Sequence, residues 1–349
     1  MLRILLSKDW IACRNEILSR IAEDVAQQKS GRILMVPELI SHDMERRLCK
    51  AAGDTASRFA EVLSFPRLAS RVADRAGTGA LQCMDNGGRI VAMAAATRQL
   101  HSKLKTYASV ETKPEFLKEL VDAVDEFKRC CITPEDLREA SLKAEGTLAQ
   151  KLEELSLILA AYDAICAQGK RDPRDQMSWC LEQLQEDNFA SEHVFYIDGF
   201  PDFTRQHLAI LEHLIRESQL VTVGVNCDEL NSNALAFEKA AETAQQLLNC
   251  AKMAGVDVQV EYVDDRDDVL LKVCQGLFQG KLPDAEALNG RVCAIHADSM
   301  QVETCAAADH VLELVRNGCR YRDISIVCGD MPIVRVYKLM CIWRIGAMA

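Results

Sequence analysis

Short apolar runs recur along the chain, and most of the stretches between them repeat apolar side chains at helical spacing. Runs of this kind are typical of buried strands, and strands that alternate with helices are typical of a parallel sheet covered by helices on both faces. We therefore predict an α/β fold. The predicted strands are Arg3–Leu6, Ile33–Val36, Val62–Phe65, Val194–Ile197, Leu220–Val225, Val292–Ile295 and Ile324–Cys328.

The stretch from residue 68 to residue 185 differs, because its pattern is almost entirely helical. Residues 116–127 and 148–162 repeat apolar side chains every three or four positions, as a helix packed on a core does. Thr133 followed by Pro134 is typical of a helix start, with Thr133 as the cap. We predict that this stretch is a helical subdomain inserted into an α/β domain.

The remaining segments define the other predicted domains. Residues 1–67 and 186–285 are predicted to form the first α/β domain around the insertion. A break near Gly280 and Pro283 precedes a pattern of strand, helix and strand, so residues 286–349 are predicted to begin a second domain of the same kind. The tail of the chain lacks clear periodicity, and from it we expect a truncated or frame-shifted product.

Composition narrows the possible functions and the compartment. The formal net charge of −11 argues against a freestanding non-specific DNA-binding protein, because attraction to phosphate requires a basic surface. Any DNA contact is then local or shared with a partner. The 15 cysteines include no CxxC pair and are predicted to be reduced core thiols, with no metal site. No stretch approaches the ~20 apolar residues of a membrane span, so we predict a cytoplasmic protein without a membrane partner.

The most informative strand is Val194–Ile197, which is followed by Asp198 and Gly199. In nucleotide-hydrolysing α/β domains a buried strand delivers an Asp to the magnesium ion, and an adjacent Glu acts on the attacking water. Asp198 is present, but Gly199 stands at the Glu position. We interpret Asp198 as the relic of a magnesium-binding residue that now caps the turn formed with Gly199.

The order of several segments points to a family: Gly31–Glu38, then Glu61–Ala69, then Tyr196–Phe200, and later Asp323–Val327. Up to about Asp330 the chain resembles the amino-terminal part of the AddB (or RexB) subunit of the bacterial ATP-dependent helicase/deoxyribonuclease. The resemblance implies a UvrD-like, RecA-like P-loop fold and a subunit that works with the motor subunit AddA on double-strand DNA ends. The family's nuclease domain and iron–sulfur cysteines fall beyond this chain, so no cofactor is predicted within it.

Many relatives carry a phosphate-binding loop after the first strand. Its glycines let backbone amides wrap phosphate, and a Lys-Ser/Thr pair contacts phosphate and magnesium. This chain has no glycine there, Cys13 stands about where the lysine would fall, and Arg14 stands about where the hydroxyl would fall. Trp10 would fill the phosphate approach, and Lys8 is interpreted as a solvated surface lysine. The pattern therefore predicts no ATP hydrolysis at this site and disfavours ATP binding.

Two more groups match functional positions of the family. Gln206 falls where an active motor uses a glutamine to link nucleotide state to DNA grip, or it is a helix-surface residue. Ser64, Phe65 and Arg67 fall where such helicases touch single-stranded DNA through a hydroxyl, an aromatic face and a guanidinium. The alternative, of equal weight, places Phe65 in the core and pairs Arg67 with a nearby acid.

These observations predict a non-catalytic helicase-like portion that guides DNA and forms a heterodimer with an AddA-type subunit. One alternative is an active nucleotide-dependent helicase or switch with an unorthodox phosphate loop, and another is a non-functional fragment. The acidic stretch Asp264–Asp268 is predicted to begin a helix rather than to bind calcium. The degenerate nucleotide site is predicted to comprise Cys13, Arg14, Asp198 and Gln206, with no catalytic residue and no metal ligand.

Overall fold

The computed structural model describes residues 1–77, 83–110, 113–232, 234–276, 288 and 290–327. The chain divides into two compact units, Met1–Lys281 and Leu282–Ala349. None of the helices within the described ranges is both long enough and apolar enough to cross a membrane.

Six strands form one all-parallel sheet in the first unit. They are β1 (Leu2–Ser7), β2 (Arg32–Met35), β3 (Ala60–Leu63), β4 (Val194–Ile197), β5 (Val221–Asn226) and β6 (Val258–Tyr262). Their order across the sheet is β3-β2-β4-β5-β1-β6, so β5 lies between β1 and β4. The α/β class and the parallel sheet are confirmed, and the sheet is compatible with a RecA-like domain. β6 was not predicted, because its alternating pattern is short and lies at an exposed sheet edge.

Helices connect the strands, and only some of these helices pack against the sheet. They are α1 (Trp10–Ala26), α2 (Ser41–Ala52), α3 (Phe65–Arg75), α4 (Asn86–Gln99), α5 (Pro114–Arg129), α6 (Pro134–Lys143), α7 (Gly146–Ala167), α8 (Gln176–Glu186), α9 (Phe189–Glu192), α10 (Arg205–Glu217), α11 (Glu238–Ala254) and α12 (Val269–Gly276). The predicted start of α6 is confirmed, since Thr133 caps it in a reciprocal capping box with Asp136. The acidic stretch also begins a helix as predicted, because the Asp268 carboxylate accepts from the Leu270 backbone N–H at 2.8 Å.

The two faces of the sheet pack against separate hydrophobic clusters. In β1, Leu2, Ile4 and Leu6 belong to a cluster that includes residues of α3, α8, α10 and α11. Leu5 points the other way, into a cluster with residues of α1 and α2. Because successive residues of a strand face opposite sides, a sheet covered on both faces needs apolar residues at nearly every strand position. This explains why the central strand β4 is an uninterrupted apolar run.

Between β3 and β4 the described residues contain helices and no strand of the sheet. Helices α4 to α7 share a third hydrophobic cluster, which includes Met93, Leu120 and Tyr162. Helices α3 and α8 lie mostly within the predicted insertion, yet Leu68 and Leu184 join the cluster against the sheet. The helical character of this stretch is confirmed, whereas the inserted subdomain and its boundaries stay predictions.

In the second unit the described residues 290–327 contain one α-helix, α13 (Met300–Arg316), capped by Ser299. The strand predicted at Val292–Ile295 is wrong, since those residues are exposed and extend no ladder that the structure describes. Residues 324–327 likewise form no strand in the described part of the chain. A short apolar run forms a strand only if it pairs with a neighbouring strand, and the hydrophobic pattern of the run does not show whether such a neighbour exists. The predicted tail, residues 331–349, lies outside the described residues.

Candidate nucleotide site

The turn between β1 and α1 is too short to wrap a phosphate group. Only Lys8 and Asp9 connect the two elements, whereas a phosphate-binding loop places several residues, some of them glycines, at this point. Asp9 caps α1, and its Oδ1 accepts a hydrogen bond from the backbone N–H of Ile11 at 2.9 Å. The amino end of a helix favours an anion, and here the Asp9 carboxylate already supplies it.

The segment after β6 holds Asp9 from the other side. Arg266 donates from Nε to Oδ2 of Asp9 and from Nη2 to its Oδ1, the second bond at 3.1 Å. The neighbouring Asp265 accepts from Ser7 Oγ at 2.8 Å and from the Asp9 backbone N–H at 3.2 Å. Burial raises the pKa of Asp9, but the hydrogen bonds from Arg266 and Ile11 outweigh it and lower that pKa below its usual range. An internal ion pair therefore occupies the amino end of α1, where the sequence predicts a degenerate phosphate-binding loop.

Cys13 lies in the first turns of α1 and faces the core. Its Sγ is 3.6 Å from the carbonyl oxygen of Leu5, and only 2% of the residue is exposed. Burial, with Asp198 and Asp9 nearby, raises the pKa of this thiol to about 12. Cys13 is thus an uncharged core residue at neutral pH, and it cannot replace the lysine of a phosphate-binding loop.

Arg14 and Asp198 form a buried ion pair across the carboxyl ends of β1 and β4. Arg14 Nε is 2.6 Å from Asp198 Oδ2, and the two side chains are 8% and 5% exposed. The guanidinium also lies 4.6 Å from the centre of the Trp10 ring, within cation–π distance. Burial raises the pKa of Asp198, while Arg14 opposes that rise. Asp198, interpreted from the sequence as the relic of a magnesium ligand, is thus paired with a buried guanidinium in this structure.

The backbone and the neighbours of Gly199 disfavour the missing glutamate. Its backbone has φ of +80°, a conformation that strongly favours glycine. A Cβ at this position would lie 2.9 Å from Ile40 Cδ1 and 3.3 Å from Arg14 Nη2. A glutamate would therefore meet both backbone strain and a steric conflict, so the surroundings of Gly199 are built around glycine.

A cavity of about 540 Å³ lies beside this ion pair, at the carboxyl ends of β4 and β5. Ligands of parallel α/β sheets characteristically bind at this edge. Its lining includes Trp10, Arg14, Asp198, Phe200 and Lys239. Trp10 is 49% exposed, so the indole forms an open wall of the cavity. Among the described residues, no group of three His, Cys, Asp or Glu side chains is arranged to hold a metal ion.

Gln206 lies in the first turn of α10, where its interactions link helices. The residue is 8% exposed, so the helix-surface interpretation is wrong. Its Nε2 donates to the carbonyl oxygen of Arg174 at 3.0 Å and lies 3.4 Å from Ser178 Oγ. These contacts connect α10 to the start of α8. Gln206 does not line the cavity beside Asp198, so the structure does not bring these predicted site residues together.

The predicted DNA-contact residues lie around the start of α3. Ser64 caps the helix and donates to Glu38, and Arg67 pairs with Glu45 at 2.8 Å. Phe65 is 2% exposed, and its ring stacks on His207 at 4.0 Å between centroids. The core alternative therefore describes Phe65 and Arg67 in this structure, and a base could reach neither face of Phe65 without rearrangement. DNA contact at Arg67, which is 42% exposed in its side chain, stays a prediction.

A second charged cluster, in the helical layer, was missed by the sequence reasoning. Arg89 of α4 is 3% exposed in its side chain, contacts Asp125 of α5, and lies 3.1 Å from Asp172. Asp172 also accepts from Tyr162 Oη at 2.5 Å, and Arg174 reaches Asp125 at 2.8 Å. Charged residues on otherwise apolar helix faces were the available signal, because buried charges need partners. The role of Asp9 had a clearer signal in the sequence, since an Asp directly before a helical pattern is a typical helix cap.

One family model matches most of the first unit. It is described as "ADDB, N-terminal", and the match covers residues 12–272. The chain belongs to the AddB amino-terminal family. The resemblance seen in the sequence is therefore confirmed.

Several curated AddB relatives are named as a subunit of an ATP-dependent helicase/deoxyribonuclease. The protein of Clostridium tetani is 26% identical over 91% of this chain and 29% of its own length. That of Geobacillus thermodenitrificans is 26% identical over 96% of this chain and 30% of its own. That of Thermoanaerobacter sp. is 28% identical over 94% and 29%. The chain thus spans less than a third of the length of these AddB relatives.

The residues of this AddB-family chain do not fit an ATP–magnesium complex. Asp9 and Arg266 fill the anion position at the amino end of α1, and Arg14 occupies the cation side of Asp198. A nucleotide would have to displace two internal ion pairs, each with a partner buried from water. Breaking the Arg14–Asp198 pair, which is buried on both sides, costs about 3–5 kcal/mol, so such a ligand would start at a large disadvantage.

Proposed function

We propose that this chain is the ATPase-inactive, helicase-like portion of an AddB-type subunit in double-strand DNA break repair by recombination. In that role it guides DNA and binds an AddA-type motor subunit. The observation that best supports the proposed lack of ATPase activity is the buried ion pair between Arg14 and Asp198, whose Nε and Oδ2 atoms are 2.6 Å apart. A magnesium ion needs oxygen ligands that are free to coordinate it, and this carboxylate is already bound.

The proposed role also follows from how the site keeps its charge balance. In an active motor, the charges of the loop and the aspartate are completed by the nucleotide and its metal ion. Here the guanidinium of Arg14 balances the charge of the Asp198 carboxylate, and the guanidinium of Arg266 balances that of Asp9. The domain therefore reaches a balanced state without a ligand. Its shape does not depend on nucleotide, which suits a fixed guide for DNA beside a separate motor.

Binding of a labelled ATP analogue tests the inactive site. We expect no saturable binding with magnesium beyond the signal measured with the metal chelated. The Asp198→Ala variant should give the same result as the original chain, because Asp198 has no metal to lose. Saturable, magnesium-dependent binding that Asp198→Ala abolishes would refute the proposal and favour the active motor with an unorthodox phosphate loop.

Measurements of binding to DNA and to the AddA-type subunit test the proposed role in guiding DNA beside the motor. Fluorescence anisotropy with labelled single-stranded DNA should show binding that weakens as salt rises, because phosphate contacts release counterions. The chain should also co-purify with an AddA-type subunit. Binding of neither partner would refute the guiding role and favour the non-functional fragment.

A further inference from the structure

The surface between α1 and α2 has a charge opposite to that of the whole molecule. A groove of about 690 Å³ runs between the two helices. Its α2 wall carries Arg46, Arg47 and Lys50, and Asp43 is the one acidic residue in its described lining. The chain as a whole carries 52 acidic and 41 basic side chains. A groove lined by three cations and one anion is therefore a local basic site on an acidic protein.

Helical spacing explains why these cations share one surface. Residues three, four and seven positions apart lie on one face of a helix, and Asp43, Arg46, Arg47 and Lys50 have these separations. The α2 wall thus presents a stripe about 10 Å long, at ~1.5 Å per residue. The opposite wall of the groove is uncharged and is formed by Asn15, Leu18, Ser19 and Ala22 of α1.

The other acidic residues of both helices lie outside the described lining of the groove. Glu45 of α2 points to the opposite side of its helix, where it pairs with Arg67 at 2.8 Å. On α1, Glu16 pairs with Arg20 at 2.7 Å and Asp24 pairs with Arg32 at 2.9 Å, and these two acids and Glu23 line another depression. Within the described lining, the positive charge of the groove is thus offset by Asp43 alone.

Two of the three cations are available to a ligand. Arg47 already pairs with Asp43 at 2.6 Å, and this bond lowers the pKa of Asp43. Arg46 and Lys50 are exposed and have no ion-pair partner among the residues that the structure describes. Most other arginines around the sheet are paired with acids, as Arg3, Arg32 and Arg75 are. Unpaired cations that face an uncharged wall fit a polyanion better than a single small ion.

We propose that the groove between α1 and α2 binds the phosphate backbone of single-stranded DNA. Arg46 and Lys50 lie one turn apart, or about 6 Å along the helix, so they contact neighbouring phosphates rather than one. Asn15 and Ser19 supply uncharged hydrogen-bonding groups on the opposite wall. Such contacts carry no base specificity, because they reach only the backbone. This inference rests on the proposed function and adds the surface through which the chain guides DNA.

The test compares two variants that lose the same charge in different places. The groove variant is Arg46→Gln/Lys50→Gln. The control is Lys118→Gln/Arg138→Gln, which removes two exposed cations from α5 and α6. Each is titrated with labelled single-stranded oligothymidylate over a salt series, and each is checked by circular dichroism for unchanged folding.

Each phosphate contact contributes about 0.7 to the slope of log affinity against log salt for single strands. The groove variant should therefore lose about 1.4 from that slope, while the control keeps the original slope. Between about 50 and 200 mM salt, the original chain should lose about sevenfold more affinity than the groove variant. Equal slopes for the two variants would overturn the inference without touching the proposed function. No DNA binding by the original chain would refute the proposed guiding role itself. Unchanged DNA binding by the groove variant, with loss of binding to polyaspartate, would overturn the inference in favour of an acidic protein partner.

Discussion

Removing Arg14 while keeping Asp198 should destabilise the first unit strongly. In the Arg14→Met variant the Asp198 carboxylate, in a residue 4% exposed, loses its only ion-pair partner among the described residues. Breaking a buried pair in this way lowers the free energy of unfolding by about 3–5 kcal/mol. The double variant Arg14→Met/Asp198→Asn carries no buried charge at this position, so it should recover most of that loss. The exposed Arg138→Met variant is the matched control and should change stability by less than about 0.5 kcal/mol.

The pH dependence of the same variant follows from the raised pKa of Asp198. A carboxyl whose pKa is higher in the folded than in the unfolded chain stabilises folding below its unfolded value of 3.8. That contribution is lost as the pH rises through the folded pKa. In the original chain Arg14 opposes the rise in the pKa of Asp198 and so limits this loss of stability, and Arg14→Met removes that effect. The difference in stability should thus be small near the unfolded pKa and grow towards neutral pH, by at most about 1.4 kcal/mol per pH unit.

Urea unfolding at several pH values measures both effects. With a slope of about 2–3 kcal/mol per molar urea, a loss of about 3 kcal/mol lowers the midpoint by about 1 M or more. Trp10, which lies against the Arg14 guanidinium, adds a local fluorescence signal. A loss below about 1 kcal/mol, or a loss that does not vary with pH, would refute the view that Asp198 is a buried carboxylate dependent on Arg14.

Three other perturbations should give distinct results. Gly199→Glu should not create ATPase activity and should lower the melting temperature, because positive φ and the contact with Ile40 exclude a larger side chain; measurable hydrolysis would contradict this. Asp9→Asn should weaken the cap and the bond to Arg266. Because the pKa of Asp9 is lowered, its contribution is fully present above pH 3.8 and is lost as the pH falls from there through the folded pKa. Melting curves of this variant and the original chain should therefore converge in acid, and a constant gap would argue against the ion pair. Glu154→Gln should loosen residues 105–107, whose backbone N–H groups all bond to that carboxylate; unchanged limited proteolysis there would show that the carboxylate does not hold the loop.

From the sequence, the candidate site could be predicted only through the motif residues that it lacks. The absence of glycines before Cys13, and Gly199 in place of a glutamate, both follow from the order of residues. What replaced the lost functions did not, because Arg14 and Asp198 are 184 positions apart and meet only through the pairing of β5 with β1 and β4. The bond between Asp9 and Arg266 was equally hidden, since it spans 257 positions. Phe65 illustrates the same limit, because the ring that stacks on it belongs to His207 of α10, which lies 142 positions later in the chain.

The sequence by itself determined the elements that local physics controls. Apolar runs produced the central strands, helical periodicity produced the long helical stretch, and Thr133 began α6 where a cap predicts it. Tertiary structure alone decided the strand order, the edge strand β6, and the lack of a described strand at Val292–Ile295. A strand exists only where a neighbour supplies its hydrogen bonds, and an ion pair only where two distant segments meet. Helices and caps depend on neighbours a few residues away, which is why the chain order shows them directly.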